Sequence, residues 1–285
     1  MQVDHPAEWE LVIASGIYEA PRCTFADRHY HRLDISWQPF EHEPNLDLVL
    51  QRHSRQIEKQ QEGEVRELSS APPAWRGLIR KLAEGSIVHA VRFLGNVRWL
   101  VDVAVVWPKS RSVDLENAIL ASIEAEDPDI RIRLWQAMGI SMSVGSEFDL
   151  IRSHGKVGRI RWQFATGRKR GPKLTVERIA LPEYWLKGTL RQWLATQMPP
   201  SHKVLAQEAI TINRHHGEKL LSRGKVSALA SIRGLAEITL DVAWLCPLEA
   251  RAYHASISSV SREADISLPR DLTIRCCRAV PSPKR

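Results

Sequence analysis

An internal repeat is the feature of this sequence that most restricts its fold. The stretch LVDVAVVWP at 100–108 matches TLDVAWLCP at 239–247 when the second is shifted by 139 positions. The same shift sets WELVIASG at 9–16 against FDLIRSHG at 148–155, where most positions keep their residue type. Because one offset relates both pairs of segments, we predict a tandem duplication, with copies at residues 1–139 and 140–285.

The pattern of apolar residues predicts the same kinds of element in both copies. In the first copy they are strands at 10–15, 21–26 and 31–37, a helix at 46–60, strands at 75–81 and 86–94, a hairpin strand at 98–107, a helix through Ile119, and a strand at 130–135. In the second copy they include a helix with Trp185, Leu186, Leu190, Trp193 and Leu194, a hairpin through Gly234, a short helix with Tyr253, Ile257 and Val260, and a strand at 272–277. We therefore predict an α+β fold, with helices packed on a mainly antiparallel β-sheet in each copy.

This order of elements resembles the PsbP-like fold family. The segments that carry the resemblance are RLDISW, WRGLI and RWLVDVAVVWP with the helix LENAILASIE, and together they span most of residues 9–135. The second copy matches more loosely. The resemblance implies a non-catalytic accessory or binding domain, and it transfers no functional residue because no motif of this chain maps onto one.

Composition excludes several classes of protein. The chain has 44% hydrophobic and 26% charged residues, which is typical of a globular protein rather than a disordered one. The amino-terminal segment lacks the pattern of a signal peptide, and the apolar runs are too short to span a bilayer. The four cysteines form no CxxC pair, which favours reduced thiols and a cytoplasmic location.

Charge differs sharply between the predicted copies. Residues 1–139 hold 16 Lys and Arg against 21 Asp and Glu, a net charge of −5, whereas residues 140–285 hold 24 against 12, a net charge of +12. Between Arg152 and Val176 there is no acidic residue. The cations of this run are the candidate binding residues: Arg152, Lys156, Arg159, Arg161, Arg168, Lys169, Arg170 and Lys173. The alternation in GRIRWQF predicts that Arg159 and Arg161 share one strand face.

Such a run of cations is compatible with several partners. It could bind nucleic-acid phosphates, an acidic protein surface or membrane headgroups. It could equally be a solvated face, or a patch that binds the acidic copy of a second molecule.

We find no catalytic motif and predict neither a cofactor nor a metal site. GxxxxGK[ST], GxGxxG after a strand, HExxH and GxSxG are all absent. His215 and His216 are adjacent and would point to opposite faces of a strand, with no third ligand apparent. His29 and His31 beside Asp27 could form a proton-transfer pair, but a polar surface strand explains them better.

Three functions follow from these observations. The leading hypothesis is a non-enzymatic binding or scaffold protein whose second copy presents a basic surface to an anionic partner. The second is a nucleic-acid-binding protein, with an RNA-processing enzyme that uses His154 or His215 as its catalytic variant. The third is a subunit of a larger assembly, in which the acidic copy of one molecule contacts the basic copy of the next.

Overall fold

The fold is described from a computed structural model covering residues 1–15, 21–59, 63–126, 129–168, 171–226, 231–262 and 265–277. Contacts within the chain divide it into two compact units, Met1–Ile130 and Arg131–Arg285, which we call unit 1 and unit 2. The predicted boundary lies at 139/140, so the segment between the two positions belongs to unit 2. No helix in the described part of the chain is long and apolar enough to cross a membrane.

Unit 1 is built on an antiparallel sheet of seven strands. Its elements are β1 Glu10–Ser15, β2 Arg22–Ala26, β3 His31–Pro39, α1 Leu46–Lys59, β4 Val65–Glu67, β5 Arg76–Leu82, β6 Gly85–Leu94, β7 Trp99–Trp107 and α2 Val113–Ser122. The strands pair in the order β1-β2-β3-β7-β6-β5-β4. The helix predicted at 46–60 is confirmed as α1.

The two faces of this sheet are covered differently. On one face Leu33, Val103 and Trp107 pack in one hydrophobic cluster with Ile119 and Leu120 of α2. On the other face Leu50 of α1 packs on Val91 and Leu100. Helix α1 therefore leaves part of this second face open, and polar side chains of β2, β3 and β7 occupy it.

Unit 2 contains a second seven-stranded antiparallel sheet and a small three-stranded one. Its elements are β8 Ile132–Ala137, β9 Ile140–Gly145, β10 Phe148–Lys156, β11 Arg159–Thr166, β12 Lys173–Ala180, α3 Pro182–Trp185, α4 Leu190–Gln197, β13 Lys203–Ile212, β14 His215–Gly224, β15 Ala236–Cys246, a 3-10 turn Pro247–Glu249, β16 Arg251–Ser261 and β17 Thr273–Arg275. The large sheet has the order β13-β14-β15-β16-β12-β11-β10, and the small one the order β17-β9-β8.

The apolar face of the large sheet forms the core of unit 2. Trp162, Phe164 and Trp244 are buried on it, and the ring of Trp135 in β8 meets Phe164 edge-on at 5.3 Å between centroids. The opposite face is polar, and α4 covers one part of it through Leu194, which packs on β14 and β15.

The predicted α+β class is wrong. Strands occupy 51% of the chain and helices 16%, so the protein is mostly antiparallel β rather than a set of sheets with packed helices. One predicted helix accounts for part of the difference, because residues 251–261 form strand β16. Ala252 to Ala255 are all buried there, so both faces of the strand are covered. The alternation of a half-exposed strand is therefore missing, and the spacing of Tyr253, Ile257 and Val260 imitates a helix.

Two other predicted elements also differ from the structure. The helix predicted through Trp185 and Leu194 is interrupted, because Gly188 at φ +97° separates α3 from α4. The segment at 130–135 does not close the first copy, because β8 pairs with β9 inside unit 2.

The ungapped register of the predicted repeat is wrong in its second half. Strand β7, which carries LVDVAVVWP, lies between β3 and β6, whereas β15, which carries TLDVAWLCP, lies between β14 and β16. The two strands thus hold different places in sheets of the same strand order. Unit 2 has more residues between β14 and β15 than unit 1 has between β5 and β6, so a fixed offset slips there. The duplication itself stays a prediction.

Candidate partner-binding surface

The predicted binding cations lie mainly on strands β10 to β12. In β11 the alternation places Arg159, Arg161 and Gln163 on one face, and the buried Trp162 and Phe164 on the other. Directly opposed residues of antiparallel strands share a face, so the register shows which neighbours join them.

Cations of both neighbouring strands join this polar face. Lys156 of β10 is opposite Arg159, and Arg152 is opposite Gln163. Lys173 of β12 is opposite Ala165, two residues beyond Gln163, and therefore points to the same side. We call this exposed side of β10–β12, with Arg152, Lys156 and Lys173, the basic face.

Two of the predicted binding arginines are held by a buried carboxylate. Arg159 Nη2 donates to Glu177 Oε2 at 2.9 Å, and Arg161 Nε donates to Glu177 Oε1. The Glu177 side chain is 1% exposed. Burial alone would raise its pKa, but hydrogen bonds from His254, Arg159 and Arg161 lower the pKa of Glu177 to about 2. Arg159 and Arg161 are therefore largely neutralised.

His254 of β16 completes this network. Its Nδ1 lies 3.1 Å from Glu177 Oε2, and its Nε2 lies 3.0 Å from Asp241 Oδ1. Burial lowers the pKa of His254, but the hydrogen bonds to Asp241 and Glu177 outweigh it and raise the pKa above its usual value. Trp193 of α4 packs edge-on against the imidazole, with 5.7 Å between ring centroids. The protonated imidazole can donate to both carboxylates, so each of its two nitrogens has a hydrogen-bond partner.

The other predicted cations have no such partner. Arg152, Lys156, Arg168 and Lys173 are all exposed. Within the described residues no carboxylate lies within ion-pair distance of any of them. Lys169 and Arg170 lie outside the described residues. The predicted run of eight cations thus divides into two paired arginines, four free cations and two residues without a description.

Unit 1 has a polar site of its own beside α1. Arg22 Nε donates to Asp34 Oδ1 at 2.7 Å, and the Thr24 hydroxyl donates to the same oxygen at 2.5 Å. His53 Nε2 of α1 lies 3.1 Å from Asp102 Oδ2. A cavity of about 240 Å³ is lined by Arg22, Asp34, Ser36, Asp102 and Ala104.

Burial perturbs the titration of two groups at this site. It raises the pKa of Asp102 although nearby His53 acts in the opposite direction. It also lowers the pKa of His89 to about 4, and the charges of His53 and Arg80 add to that shift. The lining combines two carboxylates with one guanidinium, and each carboxylate already has a partner, Arg22 for Asp34 and His53 for Asp102. Among the described residues no hydroxyl or thiol forms a hydrogen bond with His53.

The structure places the histidines named from the sequence in three different environments. Asp27 accepts hydrogen bonds from the backbone N–H groups of His29 and Tyr30, at 2.7 Å and 2.8 Å, and so closes the turn between β2 and β3. His154 is exposed on the basic face. His215 lies in a group that the sequence analysis missed, in which its imidazole and the thiols of Cys246, Cys276 and Cys277 lie within 4.8 Å of one another.

Long separations along the chain explain what was missed. His215 and Cys277 are 62 residues apart, and Glu177 and His254 are 77 residues apart. The acid-free run of the sequence ends at Val176, one residue before the carboxylate that neutralises two of its arginines. The acidic residue that directly follows this run was therefore the feature of the sequence from which the Glu177 network could have been predicted.

Comparison with known proteins identifies no family. No protein-family model matches the chain, and no curated protein matches it either. The solved structures similar to it include the immunity protein TplEi of T6SS from Pseudomonas aeruginosa, in its apo form and complexed with "L" peptide. The apo structure is 12% identical, with 92% of each chain covered and a TM-score of 0.41. The peptide complex is 11% identical, with 91% of this chain and 90% of that chain covered and a TM-score of 0.40.

At these TM-scores the likeness does not establish a shared fold or function. The resemblance to the PsbP-like family stays a prediction.

Proposed function

We propose that this chain is a non-enzymatic protein-binding protein whose basic face binds an acidic surface of a partner protein. The observation that carries the proposal is the set of exposed, unpaired cations Arg152, Lys156 and Lys173 on one side of β10–β12. The neighbouring Arg159 and Arg161 form ion pairs with the buried Glu177. The three exposed cations have no such partner and can contact solvent or another protein. Cations on a rigid sheet suit an acidic surface because little conformational freedom of the backbone is lost on binding.

The surroundings of the basic face favour a protein over a single-stranded nucleic acid. Proteins that bind single strands combine cations with aromatic rings on which bases stack. Here Trp162 and Phe164, the aromatic side chains of β11, are buried on the opposite face. Among the described residues of β10–β12, the basic face therefore presents no Trp, Tyr or Phe ring for base stacking, and the imidazole of His154 is its one exposed aromatic group.

The surroundings of the two carboxylate–histidine networks in the described residues support a non-enzymatic role. Three buried titratable groups of unit 2, Glu177, Asp241 and His254, are hydrogen-bonded to one another, and Trp193 packs against the imidazole. The more accessible pair of His53 and Asp102 in unit 1 contacts no nucleophile among the described side chains. General base catalysis needs a group within hydrogen-bond reach of the proton that it removes.

Charge reversal on the basic face should strongly weaken partner binding. We expect the triple variant R152E/K156E/K173E to capture its partner from native lysate at least about tenfold less than wild type. The partner would be trapped through a photo-crosslinking residue at position 154, which lies between two of the cations, and quantified by mass spectrometry after nuclease treatment.

A matched triple variant separates a local effect from a change in net charge. K187E/K203E/R223E reverses three exposed cations elsewhere in unit 2 and changes the net charge by the same amount. It should keep capture within about twofold of wild type. Equal losses in both triple variants would contradict the proposal. If nuclease released the captured material, the nucleic-acid hypothesis would replace it.

Self-association has a distinct signature. If residues 1–139 of one molecule bound the basic face of another, sedimentation of purified protein would show an oligomer at low salt that dissociates as salt screens the charges. A monomer under those conditions leaves the basic face available to another protein. The predicted cytoplasmic location stays a prediction.

A further inference from the structure

Three thiols and one imidazole converge near the carboxyl-terminal strand of unit 2. His215 is the first residue of β14, Cys246 is the last residue of β15, and Cys276 and Cys277 follow β17. The ligand atoms of all four side chains lie within 4.8 Å of one another. Cys246 and Cys276 are buried, and His215 and Cys277 are half-buried.

This combination of side chains matches the ligand set of a structural zinc site. Zinc in such sites is tetrahedral, with Zn–S distances of about 2.3 Å and Zn–N distances of about 2.0 Å. Two sulfurs of a regular tetrahedron of that size are about 3.8 Å apart. The four side chains therefore need to close by only about an ångström to coordinate one ion.

Neighbouring groups already support such an arrangement. The Asn213 side-chain amide donates to the carbonyl oxygen of Ile274 at 2.7 Å and lies 3.6 Å from Cys276 Sγ. Asn213 and Arg214 both have positive φ, 49° and 67°, and make the two-residue turn between β13 and β14. His215 Nε2 lies 3.6 Å from Cys277 Sγ. Amide hydrogen bonds to ligand sulfurs are the outer contacts that orient the ligands of a metal site.

We propose that His215, Cys246, Cys276 and Cys277 bind one Zn²⁺ ion in a closed structural site. All four positions of the tetrahedron are taken by protein, so no position is left for substrate or water. The ion would join the ends of β14 and β15 in the large sheet to the segment after β17 in the small one. The ion would stabilise the position of β17, which pairs with β9 over only Thr273–Arg275. Strands this short add little stability by themselves.

The test is metal analysis of the full chain, purified under reducing conditions and incubated with Zn²⁺. We expect one zinc per chain by native mass spectrometry, and Co²⁺ in its place should give the visible spectrum of tetrahedral coordination with thiolate-to-metal charge transfer. Single substitution of Cys246, Cys276 or Cys277 by Ser should lower zinc affinity at least about tenfold. Cys23→Ser, which removes the remaining cysteine of the chain, should leave both readouts unchanged.

Measurements on the wild-type chain keep the proposal testable if a serine variant does not fold. A chelator should lower the melting temperature of the wild-type protein reversibly, and added zinc should restore it. The proposal would be overturned by a chain that binds no metal and shows a Cys246–Cys276 or Cys246–Cys277 disulfide in peptide mapping. It would also be overturned if Cys277→Ser kept the wild-type zinc affinity, because the ligand set would then be incorrect.

Discussion

Replacing Glu177 by Gln is expected to lower the free energy of unfolding by about 3 kcal/mol, the lower end of the range for a buried ion pair, because the Arg159 and Arg161 side chains are 38% and 42% exposed and are partly solvated. The neutral amide has nearly the shape of the carboxylate, so packing is preserved and the lost charge dominates. Arg159, Arg161 and His254 all direct N–H groups at this carboxylate. Of the three, His254 keeps Asp241 as a partner, whereas the arginines lose their shared counter-charge.

The measurement is equilibrium unfolding in urea at pH 7, followed by tryptophan fluorescence and by hydrogen exchange resolved along the chain. Glu183→Gln is the matched control, because it makes the same change at an exposed glutamate of unit 2 and should cost less than about 0.5 kcal/mol. Hydrogen exchange should rise in β11, β12 and β16 of the Glu177→Gln variant. A loss below about 1 kcal/mol would mean that the network contributes little to stability.

The same network sets a dependence of stability on pH. The pKa of Glu177 is about 2 in the folded chain, below its value when unfolded, so its contribution is present above pH 4.5 and is lost as the pH falls towards 2. The folded pKa of His254 is raised, so its contribution is complete below pH 6.5 and is lost as the pH rises through that raised pKa. The stability advantage of wild type over Glu177→Gln should therefore shrink as the pH falls from 4.5. An advantage that stayed constant down to pH 2.5 would contradict the assigned ionisation.

The second large effect is expected in unit 1, from Glu116→Gln in α2. The Glu116 side chain is fully buried, and its Oε2 accepts hydrogen bonds from Trp107 Nε1 at 3.0 Å and Arg111 Nε at 2.9 Å. Arg111 Nη2 also donates to Oε1 at 2.5 Å and to the Ser70 hydroxyl at 2.9 Å. Without the carboxylate, a largely buried guanidinium keeps only a neutral partner. We expect a loss of about 3 kcal/mol in the free energy of unfolding.

Hydrogen exchange also locates this second effect. Because Ile119 and Leu120 of α2 pack in the core of unit 1, faster exchange should appear in α2 and β7, with little change in β11 or β12. Asp114→Asn provides the control, since Asp114 is exposed on the same helix. Equal destabilisation by both substitutions would show that a loss of negative charge near the start of the helix is responsible, rather than the buried pair.

Local patterns predicted those elements whose two sides differ in environment. Strand β3 and helix α1 were found in the sequence because one side of each faces a core and the other does not. Strand β16 was mistaken for a helix because both of its faces are covered, which removes the alternation. The ungapped repeat slipped between β14 and β15, because a sequence compared with itself at one offset cannot represent a difference in loop length.

For the candidate sites, too, local sequence patterns predicted some features and long-range contacts decided the others. The alternation in GRIRWQF determined that Arg159 and Arg161 share a face, and the count of charges determined that residues 140–285 are basic, since both depend on sequence alone. Only the tertiary structure decided which cations remain free, because antiparallel pairing brings Glu177 beside Arg161 and His254 from 16 and 77 residues away. The same holds for His215 and its three cysteines: their residue types were visible in the sequence, but convergence on one point depends on how the strand ends of unit 2 come together.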